Sequence, residues 1–424
     1  MRNSIKPSSE GYFVLLQRNR NFRIFWLGRI VYLTGNFFRS IAVSTMLYQL
    51  TGSGLALGAS FGFSTLPLVI ASPYAGVIAD RHDRRRIMIV AALSTASIVL
   101  GFLLITNVEL VWLAYPIIVL LTIVGAFSAA AHDAWMPDLV TKKQYPLANA
   151  LDISIFFILM AFGSLFGGLV IENYGWGPAF VFNSFSCVLS ALCLFLIQTT
   201  SQTLDRKPQT RSVWHDLIEG GRLVWRGQLL LGVILLDVMY CLGAGGTGLV
   251  ITFFALDVYG LGSSGLGVLY FLYGIGATIG ALVLSRWFLR RLDFHRQCLL
   301  LGIICLGEGV FFALFAVGPS AIHSAIALAL RAVIMGIFPP TVYTVMVQLI
   351  PPEFRGRVFS YRMGIINLIA GVMPFIYGRF IGIAPVETGL VIAFLMGMPD
   401  AVWTAIIATE RLKADTSAHL WAMV

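Results

Sequence analysis

A few charged side chains lie deep within long apolar stretches, where they could bind a proton, an ion or a charged substrate. They are Arg39, Asp237, Glu308 and Arg331. A charge at the centre of a membrane helix costs about 2.5–3.5 kcal/mol on insertion scales, so each is expected to face a cavity or a partner. Asn36 shares a helical face with Arg39 three residues later. These five residues are our candidates for substrate binding or proton coupling.

The sequence allows two ion pairs among these candidates and does not decide between them. Arg39 with Asp237, or Glu308 with Arg331, would neutralise each other within the apolar region. The alternative for every one of them is a structural pair that only holds helices together. His132 presents a similar choice. Its imidazole could relay protons, although a single histidine near a helix end is more often a satisfied polar residue.

The stretches that carry these charges are long enough to cross a bilayer. The chain is 58% hydrophobic and 12% charged, about half the charged fraction of a soluble domain. A spanning helix needs about 20 mostly apolar residues. Twelve such stretches lie near residues 24–50, 55–79, 86–105, 111–133, 147–171, 178–198, 229–255, 264–285, 297–317, 321–348, 358–381 and 386–409. The continuous apolar runs favour helices over a transmembrane barrel, so we predict an all-α membrane protein with twelve transmembrane helices.

Basic residues predict the orientation of these helices. Of the 29 Lys and Arg residues, 25 fall in the N-terminus, in every second loop or in the C-terminus. The opposite loops carry acidic residues instead: Glu109, Glu172, Asp257 and Glu387. By the positive-inside rule both termini are cytoplasmic, in the cytoplasmic (inner) membrane. This topology and its contacts with lipid headgroups also account for the net charge of +9, and no contiguous basic face suggests nucleic-acid binding.

The longest polar interruption divides the chain into two sets of six predicted helices. We predict an N-terminal six-helix bundle over 1–200, a cytoplasmic linker over 201–227 and a C-terminal six-helix bundle over 228–424. The linker contains an amphipathic stretch around Trp214, which favours a helix lying on the membrane surface.

The sequence predicts no enzyme, no cofactor and no metal site. There is no pair of histidines with an acid at metal-ligand spacing, no Gly-x-Ser-x-Gly turn and no phosphate-binding Gly-Lys-Ser/Thr loop. The five cysteines all lie in apolar runs without metal-ligand spacing.

The turn between the second and third predicted helices carries the most specific motif. Gly76, Asp80, Arg81, Arg84 and Arg85 lie in the sequence GVIADRHDRRR. It resembles the signature loop of the major facilitator superfamily, with Asp83 where Gly is usual. The resemblance implies that Asp80 approaches the start of helix 11 in the other half. It also implies that Arg84 pairs with an acid at the end of helix 4, for which Asp133 is our first choice and Asp138 the second. Such a cluster would be a conformational gate; the alternative is a basic turn that only sets topology.

The resemblance extends to most of the chain. Gly163, Gly167 and Gly168 in GSLFGG are similar to the exporter motif Gly-Pro-x-x-Gly-Gly, with Ser for Pro. The loops around Pro137 and Pro351 resemble those of siderophore exporters and macrolide efflux proteins. The resemblance implies a secondary transporter that exports an amphipathic small molecule, a siderophore or a drug, by alternating access. Protons are the expected coupling ion, and we expect a monomer.

Two other functions remain open on the sequence alone. One is a lysophospholipid flippase with the same fold. The other is a receptor or scaffold that does not transport, against which the retained Gly76, Asp80 and Arg84 pattern argues.

Overall fold

Helices make up nearly all of the structure. A computed structural model describes residues 12–141, 143–197, 221, 224–225, 228–351, 354–400 and 403–404, and no strand occurs among them. Eleven of the described helices are long and apolar enough to cross a membrane, and the shorter apolar helix Pro385–Gly397 follows them. These account for the twelve predicted spans. The predicted linker lies almost entirely outside the described residues, including its surface helix around Trp214.

The first six spans, α1 to α6, follow a short helix at Tyr12–Arg18. Their bounds are Arg20–Thr51 (α1), Gly54–Phe63 with Leu66–Arg81 (α2), Arg84–Val99 with the 3₁₀ turns Leu100–Leu104 (α3), the 3₁₀ turns Val108–Leu113 with Ala114–Leu139 (α4), Tyr145–Tyr174 (α5) and Gly177–Phe195 (α6).

The last six spans, α7 to α12, are less regular. Their bounds are Gln228–Ala244 with Thr247–Phe253 and the π turn Phe254–Val258 (α7), Gly262–Ile279 with the π turn Gly280–Leu284 and Ser285–Arg291 (α8), Phe294–Ala316 (α9), Ala321–Leu349 (α10), Arg355–Ile381 (α11) and Pro385–Gly397 (α12). The break in α7 falls at Gly245 and Gly246, where the sequence has a cluster of glycines.

Polar side chains set where several helices begin. Asp83 accepts hydrogen bonds from the backbone N–H groups of Arg85 and Arg86 at 2.9 and 3.3 Å, and so caps α3. Asp293 caps α9 in the same way, from Arg296 N at 2.9 Å. Each cap satisfies N–H groups that have no partner within the helix. Asp83, which stands where the resembled signature loop has Gly, therefore has a local structural role.

Candidate functional site

The two six-helix halves pack together at one end of the molecule. We call the end that holds the α2–α3 turn the basic end, and the other the opposite end. At the opposite end α2 crosses α11 through glycines, because a Cβ built on Gly58 would lie only 3.0 Å from the Cα of Gly378. Helices can approach this closely only where side chains are absent.

A second close crossing joins α5 to α8 at the opposite end. A Cβ built on Gly168 would lie 3.1 Å from the Cα of Gly267. One turn further along α5, the Glu172 carboxylate accepts hydrogen bonds from the backbone N–H groups of Ser263 at 2.7 Å and Ser264 at 3.4 Å. The carboxylate of one half therefore caps the first turn of a helix in the other half, where negative charge is favourable.

A third contact between the halves lies nearby. The Tyr48 hydroxyl of α1 donates a hydrogen bond to Asp257 at the end of α7. Together with Glu172, this places two of the four acidic residues of the sparsely charged loops in contacts that cross between the halves.

The α2–α11 interface between the halves opens towards the basic end, whereas α5 and α8 stay in contact at least as far as Gly274, which lies against Ala161. The α2–α11 contact continues as far as Leu66, which lies against Gly371. Beyond it Ile70 and Tyr74 are 70% and 64% exposed. A Cβ built on Gly76 would touch no other element within 4 Å in the described part of the chain. The face of α2 that packs on α11 at the opposite end is therefore uncovered towards the basic end.

Arg84 anchors the signature loop to α4. Its Nη1 lies 2.6 Å from Asp138 Oδ2 and donates to the carbonyl of Ala134 at 2.9 Å, and the side chain is 9% exposed. Asp80, by contrast, is 68% exposed and touches Arg84 only at 3.9 Å. The Asp80 carboxylate is thus free to reach another helix.

The prediction that Asp133 is the partner of Arg84 was wrong. The Asp133 side chain is 80% exposed and lies beside His132. The predicted helix 4 ended at residue 133, whereas α4 continues to Leu139. Five further helical residues rotate the side chain by about 140°, so Asp138 faces the loop and Asp133 does not.

The other loop arginines differ in their surroundings. Arg85 donates from Nε to the carbonyl of Leu194 at 3.0 Å and lies over the Phe195 ring at 5.5 Å, so it neutralises the C-terminal end of α6. Arg81 is exposed.

The glycines of the exporter motif have two kinds of neighbour. Gly163 and Gly167 face α1, where a Cβ would lie 3.0 Å from the Phe37 Cβ and 3.2 Å from the Phe38 Cα, respectively. Gly168 faces α8 across the halves. The motif therefore packs α5 tightly within its own half and against the other half at once.

A buried polar cluster occupies the C-terminal half. Glu308 and Arg331 are 0% and 1% exposed, and the carboxylate lies 3.1 Å from Arg331 Nη2. The Tyr240 hydroxyl lies 2.9 Å from both Glu308 oxygens, and Thr247 Oγ1 accepts from Arg331 Nη2 at 3.2 Å. Nε and Nη1 of Arg331 have no hydrogen-bond partner among the described residues. The expected Glu308–Arg331 pair is present.

The expected Arg39–Asp237 pair is absent. Asp237 pairs with Arg362 of α11, within the same half. Arg362 is one of the 25 basic residues that the sequence analysis placed in the termini and every second loop, but it lies seven residues into α11, about 10 Å along the helix.

Arg39 has no acidic side chain within 4 Å among the described residues. Its electrostatic neighbours are Tyr32 and Cys187. Asn36 lies 3.4 Å from Asn183 Nδ2 on α6. Arg39 and Asn36 thus neighbour α6 of their own half, and Arg39 remains a half-buried cation whose charge no described carboxylate neutralises.

Sequence reasoning missed one half-buried acid altogether. Asp152 of α5 lies 3.4 Å from Arg29 Nε and 3.4 Å from His132 Nε2. The available signal was a carboxylate five residues inside a predicted span, since such residues rarely lack a function or a partner.

The family follows from a comparison of the whole sequence with family models. The model of the Major Facilitator Superfamily matches residues 25–408. The chain belongs to the Major Facilitator Superfamily.

Curated members of this superfamily that resemble the chain are bacterial efflux proteins. The multidrug efflux pump Tap of Mycolicibacterium fortuitum is 27% identical over 81% of this chain and 84% of the relative. Macrolide efflux protein A of Streptococcus pyogenes is 22% identical over 82% of this chain and 86% of the relative. The enterobactin exporter EntS of Shigella boydii serotype 18 is 25% identical over 81% of each chain. This chain is therefore a multi-pass membrane transporter with efflux proteins among its relatives.

Solved superfamily structures share the fold. A bacterial homologue of the human lysosomal transporter Spinster, in an inward-facing and unoccupied conformation, matches with a TM-score of 0.69 at 15% identity, over 95% of this chain and 96% of that one. A POT family transporter in complex with 5-aminolevulinic acid matches with a TM-score of 0.75 at 10% identity, over 94% of this chain and 98% of that one. At these identities the likeness establishes the fold alone.

Proposed function

We propose that this protein is a secondary active exporter of the cytoplasmic membrane that moves an amphipathic small molecule by alternating access. The relatives named for efflux of several drugs, of macrolides and of enterobactin support the direction and the class of cargo. The observation that carries the proposal is the separation of α2 from α11 beyond Leu66, with close contact at the other end of the same two helices.

The basic end is the cytoplasmic end in this proposal, and both chain termini are cytoplasmic. The excess of Lys and Arg at this end favours that orientation. The structure is then open to the cytoplasm and closed to the outside, the state that loads cargo for export.

The signature loop would close the cytoplasmic side in the second state. Extending the α2–α11 register of Gly58 with Gly378 and Leu66 with Gly371 brings Asp80 to the first turn of α11, near Gly356 and Arg357. There it would accept free N–H groups, while Gly76 would allow the backbones to approach. Arg84 and Arg85 hold the loop in position through Asp138 and α6, and the solvent-facing Arg81 adds positive charge at the cytoplasmic surface.

The charged residues inside the bundle suggest how cargo and protons bind. Arg39 is the candidate for contact with an anionic or catecholate group, because no described carboxylate neutralises it. Asn36 provides a neighbouring amide. Glu308 and Asp237 are the candidates for proton coupling, since protonation of either would weaken its arginine pair.

Purified protein in proteoliposomes tests this proposal. A pH gradient is imposed, and movement of erythromycin, enterobactin and a fluorescent lysolipid is measured together with proton flux. Gradient-driven movement of one of the first two compounds, abolished by Asp237→Asn and weakened by Arg39→Ala, supports a proton-driven exporter. Movement of the lysolipid alone favours a flippase. Cargo transport that persists after complete collapse of the pH and voltage gradients contradicts proton coupling.

A further inference from the structure

His132 lies buried between two carboxylates that belong to different helices. Its Nδ1 is 3.1 Å from Asp133 Oδ1, and its Nε2 is 3.4 Å from Asp152 Oδ1. The imidazole is 2% exposed and stacks on the Phe25 ring, with centroids 4.8 Å apart. Three spans, α1, α4 and α5, therefore enclose this one ring.

The surroundings of the ring match its charged form. A neutral imidazole has one donor and one acceptor nitrogen, whereas the imidazolium has two donors. Because both nitrogens of His132 face carboxylate oxygens, a neutral ring leaves a lone pair facing an acceptor. Nε2 makes no hydrogen bond among the described residues, so its 3.4 Å approach to Asp152 is favourable only as an ion-pair contact of the protonated ring.

The charge balance of the cluster leads to the same conclusion. The charged groups that face the imidazole are Asp133 on α4, Asp152 on α5 and Arg29 on α1. The half-buried part of the cluster, Arg29 with Asp152, is already neutral, and the exposed Asp133 carboxylate provides the negative charge that a proton on His132 would meet. The cluster can therefore take up one proton on the ring and release it without leaving a buried charge unpaired.

A path for this proton leads to the basic end. The Asp133 side chain is 80% exposed, Asp152 is 19% exposed and His132 lies between them. We propose that His132 is a proton-binding site of this transporter, which exchanges its proton with the cytoplasm through Asp133. This inference names a residue for proton coupling and, in its role in transport, rests on the proposed function.

The transfer step balances without any other reactant. The Nδ1–H bond of the imidazolium breaks and an O–H bond forms on Asp133, whose proton then passes to water. The electron pair stays on Nδ1, and the remaining Nε2–H faces Asp152. The exposed Asp133 can turn towards solvent once the ring is neutral.

Nitrogen-15 magnetic resonance of histidine-labelled full-length protein tests this site without any cargo. The protein is placed in nanodiscs of phosphatidylethanolamine and phosphatidylglycerol, and the His132 signals are assigned as those lost in His132→Gln, with His295→Gln as a control. Over about pH 5–8, the usual range of imidazole titration, both nitrogens should carry hydrogen at the acidic limit and only Nε2 at the basic limit. Asp152→Asn should change the fraction protonated at a given pH. A ring with a single N–H throughout, or with two throughout, overturns the proposal.

Transport provides the second readout. In vesicles with an imposed pH gradient, His132→Gln should lose uphill export of erythromycin or enterobactin and keep downhill exchange, whereas His295→Gln should match the wild type. Uphill export by His132→Gln at the wild-type level overturns the proposal. If the wild type itself exports neither compound, the proposed function fails, and the resonance measurement still decides whether His132 is an exchangeable proton site.

Discussion

Replacing Glu172 should shift the balance between the two proposed states of the transporter. In the structure this carboxylate joins the halves at the opposite end, through the N–H groups of Ser263 and Ser264. Gly262 precedes them with φ of 66°, and a Cβ there would lie 2.9 Å from a Glu172 carboxylate oxygen. In the proposed alternating-access cycle this contact is lost when the opposite end opens, so its free energy belongs to one state only.

The size of the shift follows from the kind of contact. A negative charge at an exposed helix N-terminus contributes about 0.3–1 kcal/mol, and a hydrogen bond to a charged group about 1.5–3 kcal/mol. Glu172→Gln keeps an acceptor and loses the charge, so we expect about 1 kcal/mol, or about fivefold in the ratio of the states. Glu172→Ala loses both, so we expect about 2 kcal/mol, or about thirtyfold.

Spin labels at the opposite end measure this ratio. Val108→Cys and Ile383→Cys place exposed labels on the two halves, and pulsed resonance gives their distance distribution. The long-distance population should rise from wild type to Glu172→Gln to Glu172→Ala. Glu387→Gln is the matched control, because this carboxylate in the first turn of α12 makes no hydrogen bond or ion pair to the other half among the described residues. Unchanged distributions in both Glu172 variants, or an equal change in the control, would refute the reasoning.

Three further perturbations follow from the packing. Gly168→Ala should hinder closure of the opposite end, and Gly76→Ala that of the basic end, so the same distance measurement should show shifts in opposite directions. Glu308→Gln should destabilise the fold by about 3–5 kcal/mol because Arg331 is left buried and uncompensated, and adding Arg331→Met should recover thermal stability in detergent. Arg84→Ala should cost less, about 1–3 kcal/mol, because Asp138 and the Ala134 carbonyl lose hydrogen bonds to a charged group while solvent still reaches the Asp138 carboxylate.

Each of these three perturbations has a control variant or a result that would contradict it. The two glycine variants control one another, and parallel shifts contradict the assignment of the two ends. A Glu308→Gln, Arg331→Met protein less stable than Glu308→Gln contradicts the ion-pair argument. Arg86→Ala removes an exposed pair with Asp83 at 3.7 Å and should change stability by less than about 1 kcal/mol. If Arg86→Ala destabilises the fold as much as Arg84→Ala does, the burial of the arginine does not determine the loss of stability.

Spans and motifs could be predicted from the sequence because length and composition determine them. An apolar run of about 20 residues has few alternatives to a spanning helix, and GVIADRHDRRR is specific enough to identify a family. The Glu308–Arg331 pair could be predicted for a similar reason, since two buried opposite charges in neighbouring spans of one half have few other partners.

Other pairings could not be predicted, because they depend on helix ends and rotation. Because α4 is about a turn and a half longer than the predicted span, Asp138 and not Asp133 is the partner of Arg84. Arg362 lies near the start of the predicted span 358–381 and was counted with the loop arginines, yet it reaches Asp237. The contact of Glu172 with α8 joins residues far apart in sequence, and no local pattern marks it.

The central claim is that the two ends of the bundle open alternately. Two label pairs in one protein background test it, Arg86→Cys with Arg290→Cys at the basic end and Val108→Cys with Ile383→Cys at the opposite end. All four positions are exposed. The account predicts two distances for each pair, whose populations change in opposite directions when cargo or pH shifts the balance. A single unchanging distance for each pair, or ends that open and close together, would contradict it.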